Sequence, residues 1–116
     1  MKTHKDLDVW KKAIEFVTAI YKITSTFPKN ELYGLTSQIR RASVSIPSNI
    51  AEGSARHHDN EYRQFLYVSL GSAAELETQL IISMNLGYLD NENSKALISD
   101  LNIISRMIQG LIKSIK

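Results

Sequence analysis

The sequence predicts an all-α protein: an antiparallel, up-down four-helix bundle whose second helix is kinked at Pro47. Three observations carry this reading. Apolar residues recur at helical spacing in four separate segments. Clusters of turn residues divide those segments, and no stretch alternates with the two-residue period of a strand. Four helices with short connections close most simply as an up-down bundle.

The first helix is expected over residues 9–24, where Trp10, Ala13, Ile14, Val17, Ile20 and Tyr21 form one wide apolar face. It stops near Phe27-Pro28-Lys29-Asn30, because a proline biases the residue before it away from helix. A loop through Glu31, Tyr33 and Gly34 follows.

The second helix is expected from Leu35 or Thr36 to about Glu52, with Gly53-Ser54 as its C-terminal cap. Pro47 lacks an N–H and crowds the carbonyl of Ser43, which kinks a helix. The stripe Leu35, Ile39, Ala42, Ile46, Ile50 nevertheless keeps its phase across the proline, so the helix is expected to continue. Ser43, Ser45 and Ser48 offer hydroxyls for the freed backbone groups.

Asp59 or Asn60 starts the third helix. Its seam of Tyr62, Leu66, Ser69, Ala73, Leu76 and Leu80 alternates steps of four and three, and it ends at Asn85-Leu86-Gly87-Tyr88. Gly71-Ser72-Ala73-Ala74 lowers helix propensity in the middle, which makes sense where another helix comes close. The fourth helix starts after Asp90-Asn91-Glu92-Asn93. Its seam is Leu97, Leu101, Ile104, Ile108, Leu111, Ile115, with a second stripe of Ile98, Ile103, Met107 and Ile112 beside it. That second stripe, with Trp10 and Tyr21, exceeds what one seam needs. Surplus apolar surface marks an interface, so a homo-oligomer is expected.

At 116 residues the chain is long enough for one domain, residues 1–116, and 43% apolar content supports a core. The absence of cysteine excludes disulfides and thiolate metal sites and fits a reducing cytoplasm. The N-terminus has no apolar leader, and no apolar run is long enough to span a bilayer. No membrane partner is therefore expected.

The net charge of +2 hides a division. Residues 59–92 hold six carboxylates against Arg63 alone, a net of −5, which leaves +7 on the rest. Such segregation steers a polyanion to one face or joins oppositely charged faces of neighbouring subunits. The candidate phosphate contacts are Lys11, Lys12, Lys22, Arg40, Arg41, Arg56, Arg106 and Lys113, with His57, His58 and Lys116 as helpers. Arg40 and Arg41 point about 100° apart on a helix, so they cannot share one phosphate equally. One is expected to pair with a carboxylate, and Glu75 and Glu77 are the natural partners. Asn49 and Glu52, one turn apart, are expected to make local capping bonds. His57, His58 and Glu61 lack a fourth metal ligand, so no metal and no cofactor is expected. Glycines are isolated, no nucleophile has a positioned base, and Glu75 and Glu77 lie on different faces; no catalytic residue is assigned. No recognition-helix pattern and no aromatic platform among basic residues is visible.

The order of motifs resembles the 23S rRNA intervening-sequence protein family. The matching residues are Val9-Trp10-Lys11-Lys12-Ala13, then Phe27-Pro28, Glu31 and Tyr33-Gly34-Leu35-Thr36. Next come Ser37-Gln38-Ile39-Arg40-Arg41-Ala42 and Ser45-Ile46-Pro47-Ser48-Asn49-Ile50-Ala51-Glu52-Gly53. Tyr62, Phe65-Leu66-Tyr67 and the run from Gly71 to Leu80 complete the match. The resemblance implies a small cytoplasmic bacterial protein that assembles as a homopentamer of four-helix bundles. A related branch, the accessory variability protein of diversity-generating retroelements, binds nucleic acid and a reverse transcriptase. Two expectations follow: a non-enzymatic oligomer that binds RNA or DNA through a basic surface, or a scaffold for a partner protein.

Overall fold

The computed structural model describes residues 2–115, and four long helices carry it. They are α1 (Asp8–Thr24), α2 (Leu35–Ala55), α3 (Asp59–Asn85) and α4 (Asn91–Ser114). Short 3-10 turns, His4–Asp6 and Lys29–Glu31, precede α1 and α2. No strand occurs among the described residues, and none of their helices is long and apolar enough to cross a membrane.

The chain chemistry sets the helix ends. Asp90 caps α4, its Oδ1 accepting from the Asn93 N–H at 2.7 Å. At the end of α3, Gly87 takes φ 79°, a left-handed conformation that glycine adopts without a Cβ clash. That turn lets the Tyr88 N–H reach back to the Ser83 carbonyl at 2.9 Å and satisfies the helix end. Only Arg56, His57 and His58 separate α2 from α3.

Each helix contributes one inward stripe. α1 gives Val9, Ala13, Phe16 and Ile20; α2 gives Ile39, Ala42, Ile46 and Ile50; α3 gives Leu66, Ala73, Leu76 and Leu80. α4 adds Leu97, Leu101, Ile104, Ile108 and Ile112, and Phe27 and Leu89 close the loop end. α1 packs on α2 and α4, and α3 packs on the same two helices.

The α2–α3 contact is the closest, because both faces carry small residues. Ser69 donates to the Ile46 carbonyl at 3.0 Å, and the Ser45 and Ser72 hydroxyls meet at 2.8 Å. Gly53 lies opposite Tyr62 and Phe65, and a Cβ there would come within 2.8 Å of the Phe65 Cβ. The sequence suggested Gly53 as a cap. The helix runs on to Ala55, and the glycine instead lets α3 approach. Within the Gly71–Ala74 cluster, Ser72 and Ala73 are buried, whereas Gly71 faces open space.

α2 passes through Pro47 as one helix. The serine hydroxyls do not serve the freed groups as expected. Ser43 donates to the Arg40 carbonyl, and Ser45 meets Ser72. Neighbouring carbonyls are served from elsewhere: Asn49 Nδ2 donates to the Ser45 carbonyl at 2.8 Å, and Ser69 reaches Ile46 from α3.

Two inward faces differ from the periodicity reading. On α1, Phe16 and Val9 point inward, while Ile14 and Tyr21 are exposed. On α4, Ile112 is buried and Leu111 only half-buried. Ile98 and Met107, read as surplus, pack against the core. Tyr21, also read as surplus, is exposed, and half of the exposed large apolar side chains lie on α3 and its C-cap: Tyr67, Val68, Ile81, Ile82 and Leu86.

Candidate nucleic-acid interface

The expected cations divide into engaged and free groups. Arg40 is engaged at the C-terminal end of α1. Its Nε donates to Thr24 Oγ1 at 2.9 Å, its Nη2 to the Tyr21 carbonyl at 3.3 Å, and its guanidinium lies 4.6 Å from the centre of the Tyr21 ring. A cation is favoured there because the last carbonyls of a helix carry partial negative charge. The partner is thus a helix end, not the carboxylate of Glu75 or Glu77. Arg56 is engaged too, 3.7 Å from Glu61 and 5.2 Å from the Phe65 ring centre. That pairing occupies the only carboxylate of the His57, His58, Glu61 set. Arg63, left aside in the acidic segment, donates to Asn60 and to the Ile115 carbonyl at the end of α4.

Lys12 is half-buried and lines a groove of about 90 Å³ with Glu15 and Asp100, a poor setting for a polyanion. Lys11 and Lys22 are exposed on α1. Eleven residues apart, they fall within about 20° of each other on the helix. Glu15 and Asp8 share that side, so its charge is mixed.

α4 is different. Arg106 and Lys113 are exposed, and Lys95, which sequence reasoning missed, joins them. At 100° per residue these three lie within about 20° of one another, spread over roughly 27 Å of helix. Asn102 and Gln109 sit between them, both exposed. Among the described residues, none of the three cations has an ion pair or a side-chain hydrogen bond. The signal was present as an 11- and 7-residue spacing of cations, but it is weaker than the apolar periodicity around it. Lys116 lies outside the described residues.

Arg41 is exposed and lines a groove of about 560 Å³ between α2 and α3, with Tyr33, Gln38, Ser45, Ser72 and Glu75. Tyr33 is 94% exposed. Its loop is tied down by Glu31, which accepts from the Leu35 N–H at 3.2 Å and from Tyr88 Oη at 2.9 Å. The Glu31 carboxylate raises the Tyr88 phenol above its ordinary range, with partial burial adding to the effect. Burial raises Tyr62 as well, offset in part by a hydrogen bond with Ser54.

A profile of the 23S rRNA-intervening sequence protein family matches residues 5–110. The chain belongs to this family. A crystal structure from Bacteroides thetaiotaomicron, described as a protein with unknown function from the S23 ribosomal protein family, superposes with a TM-score of 0.84. It is 23% identical, and the match covers 91% of this chain and 96% of that one, which shows a shared fold. No curated protein matches the chain.

Proposed function

We propose that this member of the family is a non-enzymatic, homo-oligomeric bundle that binds RNA through phosphate contacts on a basic surface. The observation that carries this reading is the α4 row of Lys95, Arg106 and Lys113, exposed and unpaired among the described residues. Free cations in a row release counterions from a polyanion, a sequence-independent source of affinity. The family's name refers to an intervening sequence of 23S rRNA and names no ligand; RNA is chosen as the polyanion to test on that association alone. The helices are read as antiparallel, up and down, with α2 bent at Pro47. The contacts Gly53–Tyr62, Ile46–Ser69 and Ser45–Ser72 support this, since they descend α2 as they climb α3.

Self-association is assigned to the C-terminal part of the outer face of α3, at Ile81, Ile82 and the capping residue Leu86, so that Glu75 and the α2–α3 groove stay open; the family resemblance suggests five copies. The bundle is taken to work in the bacterial cytoplasm. A second reading, a scaffold for a partner protein such as a reverse transcriptase, draws on the same apolar face. A stoichiometric protein partner retained without nucleic acid would favour it.

The deciding experiment is a salt titration of single-stranded RNA binding by fluorescence anisotropy, on protein whose assembled mass has been measured. Three phosphate contacts per chain give a log–log slope of about −2. Salt-insensitive binding, or none at low ionic strength, rejects the reading.

A further inference from the structure

The groove between α2 and α3 holds a combination that the basic surface does not explain. Tyr33 stands at its mouth, 94% exposed, on a loop fixed by Glu31 and by the Gly34 N–H, which donates to the Glu31 carbonyl at 3.0 Å. Arg41, exposed on α2, makes no ion pair among the described residues, although Glu75 lines the same groove. The Ser45 and Ser72 hydroxyls meet at its wall, and Gln38 adds an amide. Gln79, 5% exposed, makes only a long contact from its Nε2 to Glu75 Oε2 at 3.4 Å, which leaves that carboxylate available to a ligand. The volume, about 560 Å³, lies within the range of small-molecule sites.

We infer that this groove takes one nucleotide of single-stranded RNA, with the base stacked on Tyr33, the phosphate on Arg41 and the base edge on Glu75. The inference rests on the RNA reading and adds a subsite to it. A free anion would use Arg41 but would leave Tyr33 idle and be repelled by Glu75. An apolar peptide would find few apolar walls. A nucleotide has an aromatic plane, an anionic end and a hydrogen-bonding edge, and each meets a group of the matching kind. Glu75 accepts hydrogen bonds only, so it selects a base with donors. Guanine presents two side by side, its ring N–H and its exocyclic amine, which a carboxylate accepts together. Uracil presents one donor beside carbonyls that a carboxylate repels. The groove therefore prefers guanine, and the α4 row supplies the non-selective part of the binding.

The test compares a twelve-nucleotide oligouridine with the same strand carrying one central guanine, by anisotropy at two salt concentrations. Wild-type protein should bind the guanine strand about tenfold more tightly, the discrimination of one bidentate edge contact. Tyr33→Ala should weaken binding by about fivefold to a hundredfold, and Tyr33→Phe should retain it. Arg41→Gln should lower the salt slope by about 0.7. Glu75→Gln should remove the guanine preference and leave the slope unchanged. Tyr33 and Arg41 are exposed, so circular dichroism of these variants should match wild type. The outcomes separate the two readings. If Arg106→Glu with Lys113→Glu abolishes binding while Tyr33→Ala binds as wild type, the groove inference falls and the RNA reading stands. If no strand binds but 5′-GMP shifts tyrosine ring resonances in wild type and not in Tyr33→Ala, the groove inference stands and the polymer reading falls. If neither strand nor 5′-GMP binds, both fall.

Discussion

The outward faces of α3 and α4 are built for opposite surroundings. From Tyr67 to the capping residue Leu86 the exposed residues along α3 include Val68, Ile81 and Ile82, and Glu75 is the only charged one. Between them Gly71 and Ala74 leave the surface low. α4 exposes no large apolar side chain, and one side of it carries Lys95, Asn102, Arg106, Gln109 and Lys113. Water leaves an apolar face readily, whereas a row of separated cations stays hydrated until a polyanion replaces its counterions. One bundle thus carries a surface suited to a protein contact and another suited to a nucleic acid. The inward stripes, which determine the fold, say nothing about either.

The largest effect contrasts the two sides of α3 with a single kind of change. Leu76→Asp buries an unpaired carboxylate in the core and should cost about 4 kcal/mol or more, enough to unfold a small domain. Ile82→Asp, on the outer face of the same helix, should leave helicity and melting almost unchanged while reducing the assembled mass in sedimentation. A folded Leu76→Asp protein would show that the inward stripe is misplaced. An Ile82→Asp protein with unaltered mass would remove this face from self-association.

The next effect belongs to α4. Reversing Arg106 and Lys113 to glutamate should weaken RNA binding at least tenfold and reduce the salt slope by about 1.4, two contacts at about 0.7 each. Folding should be untouched, because both side chains are exposed and neither has a partner among the described residues. Reversing Lys11 and Lys22 on α1 should do less, since Asp8 and Glu15 already offset them. Equal losses on the two helices would dissolve the distinction drawn between them.

Two glycines give a smaller and sharper contrast. Gly53→Ala should destabilise by about 1–3 kcal/mol, because its Cβ would press on the Phe65 Cβ, an atom fixed to the backbone. Gly71→Ala meets nothing within 4 Å and should stabilise the isolated chain by about 0.5–1 kcal/mol through better helix propensity. If a second copy packs along α3 as far as Gly71, the same change should weaken assembly while raising the stability of the monomer. Chemical denaturation read at two protein concentrations separates these contributions.

How much of this was legible in the sequence depends on which forces decide each feature. The stripe Ile39, Ala42, Ile46, Ile50 could be read through Pro47 because one face of α2 is plainly apolar and the other plainly polar. α1 was harder. Val9 and Phe16 compete with Trp10, Ile14 and Tyr21 for the inside, and only the neighbouring helices settle the rotation. α3 mixes apolar and polar residues on both its inner and outer sides, with Ser69, Ser72, Gln79 and Ser83 buried and Tyr67, Val68, Ile81 and Ile82 exposed, so periodicity found its seam but not its outer face. Arg40 announces a cation that needs a partner, yet the partner, Thr24, lies 16 residues away at the end of another helix. The meeting of Tyr33 with Arg41 and Glu75 is likewise tertiary. A loop tied by Glu31 and the register of α2 on α3 bring it about, and no local spacing encodes it.

The mildest prediction probes the end of the bundle where α3 hands over to α4. Tyr88 donates to Glu31 Oε2 at 2.9 Å, and that carboxylate raises the phenol above its ordinary value of 10.0. Ionising it in place would set a phenolate against a carboxylate. In the unfolded chain the phenol loses its proton near the ordinary value, so the unfolded state ionises first. The stability supplied by the bond is therefore complete below about pH 10 and is lost as pH rises through the higher folded value. Tyr62, raised mainly by burial, acts in the same direction from the far end of α3. Thermal melts followed by circular dichroism from pH 8 to 11 should show melting temperature falling in the upper part of that range. Tyr88→Phe should lower it at pH 8, since the bond is lost, and flatten the decline above pH 10, since one titrating group is gone. A variant with the wild-type value at pH 8 and the wild-type slope above pH 10 would mean that the Glu31 strap does not hold the Tyr33 loop, and the groove between α2 and α3 would lose one of its fixed walls.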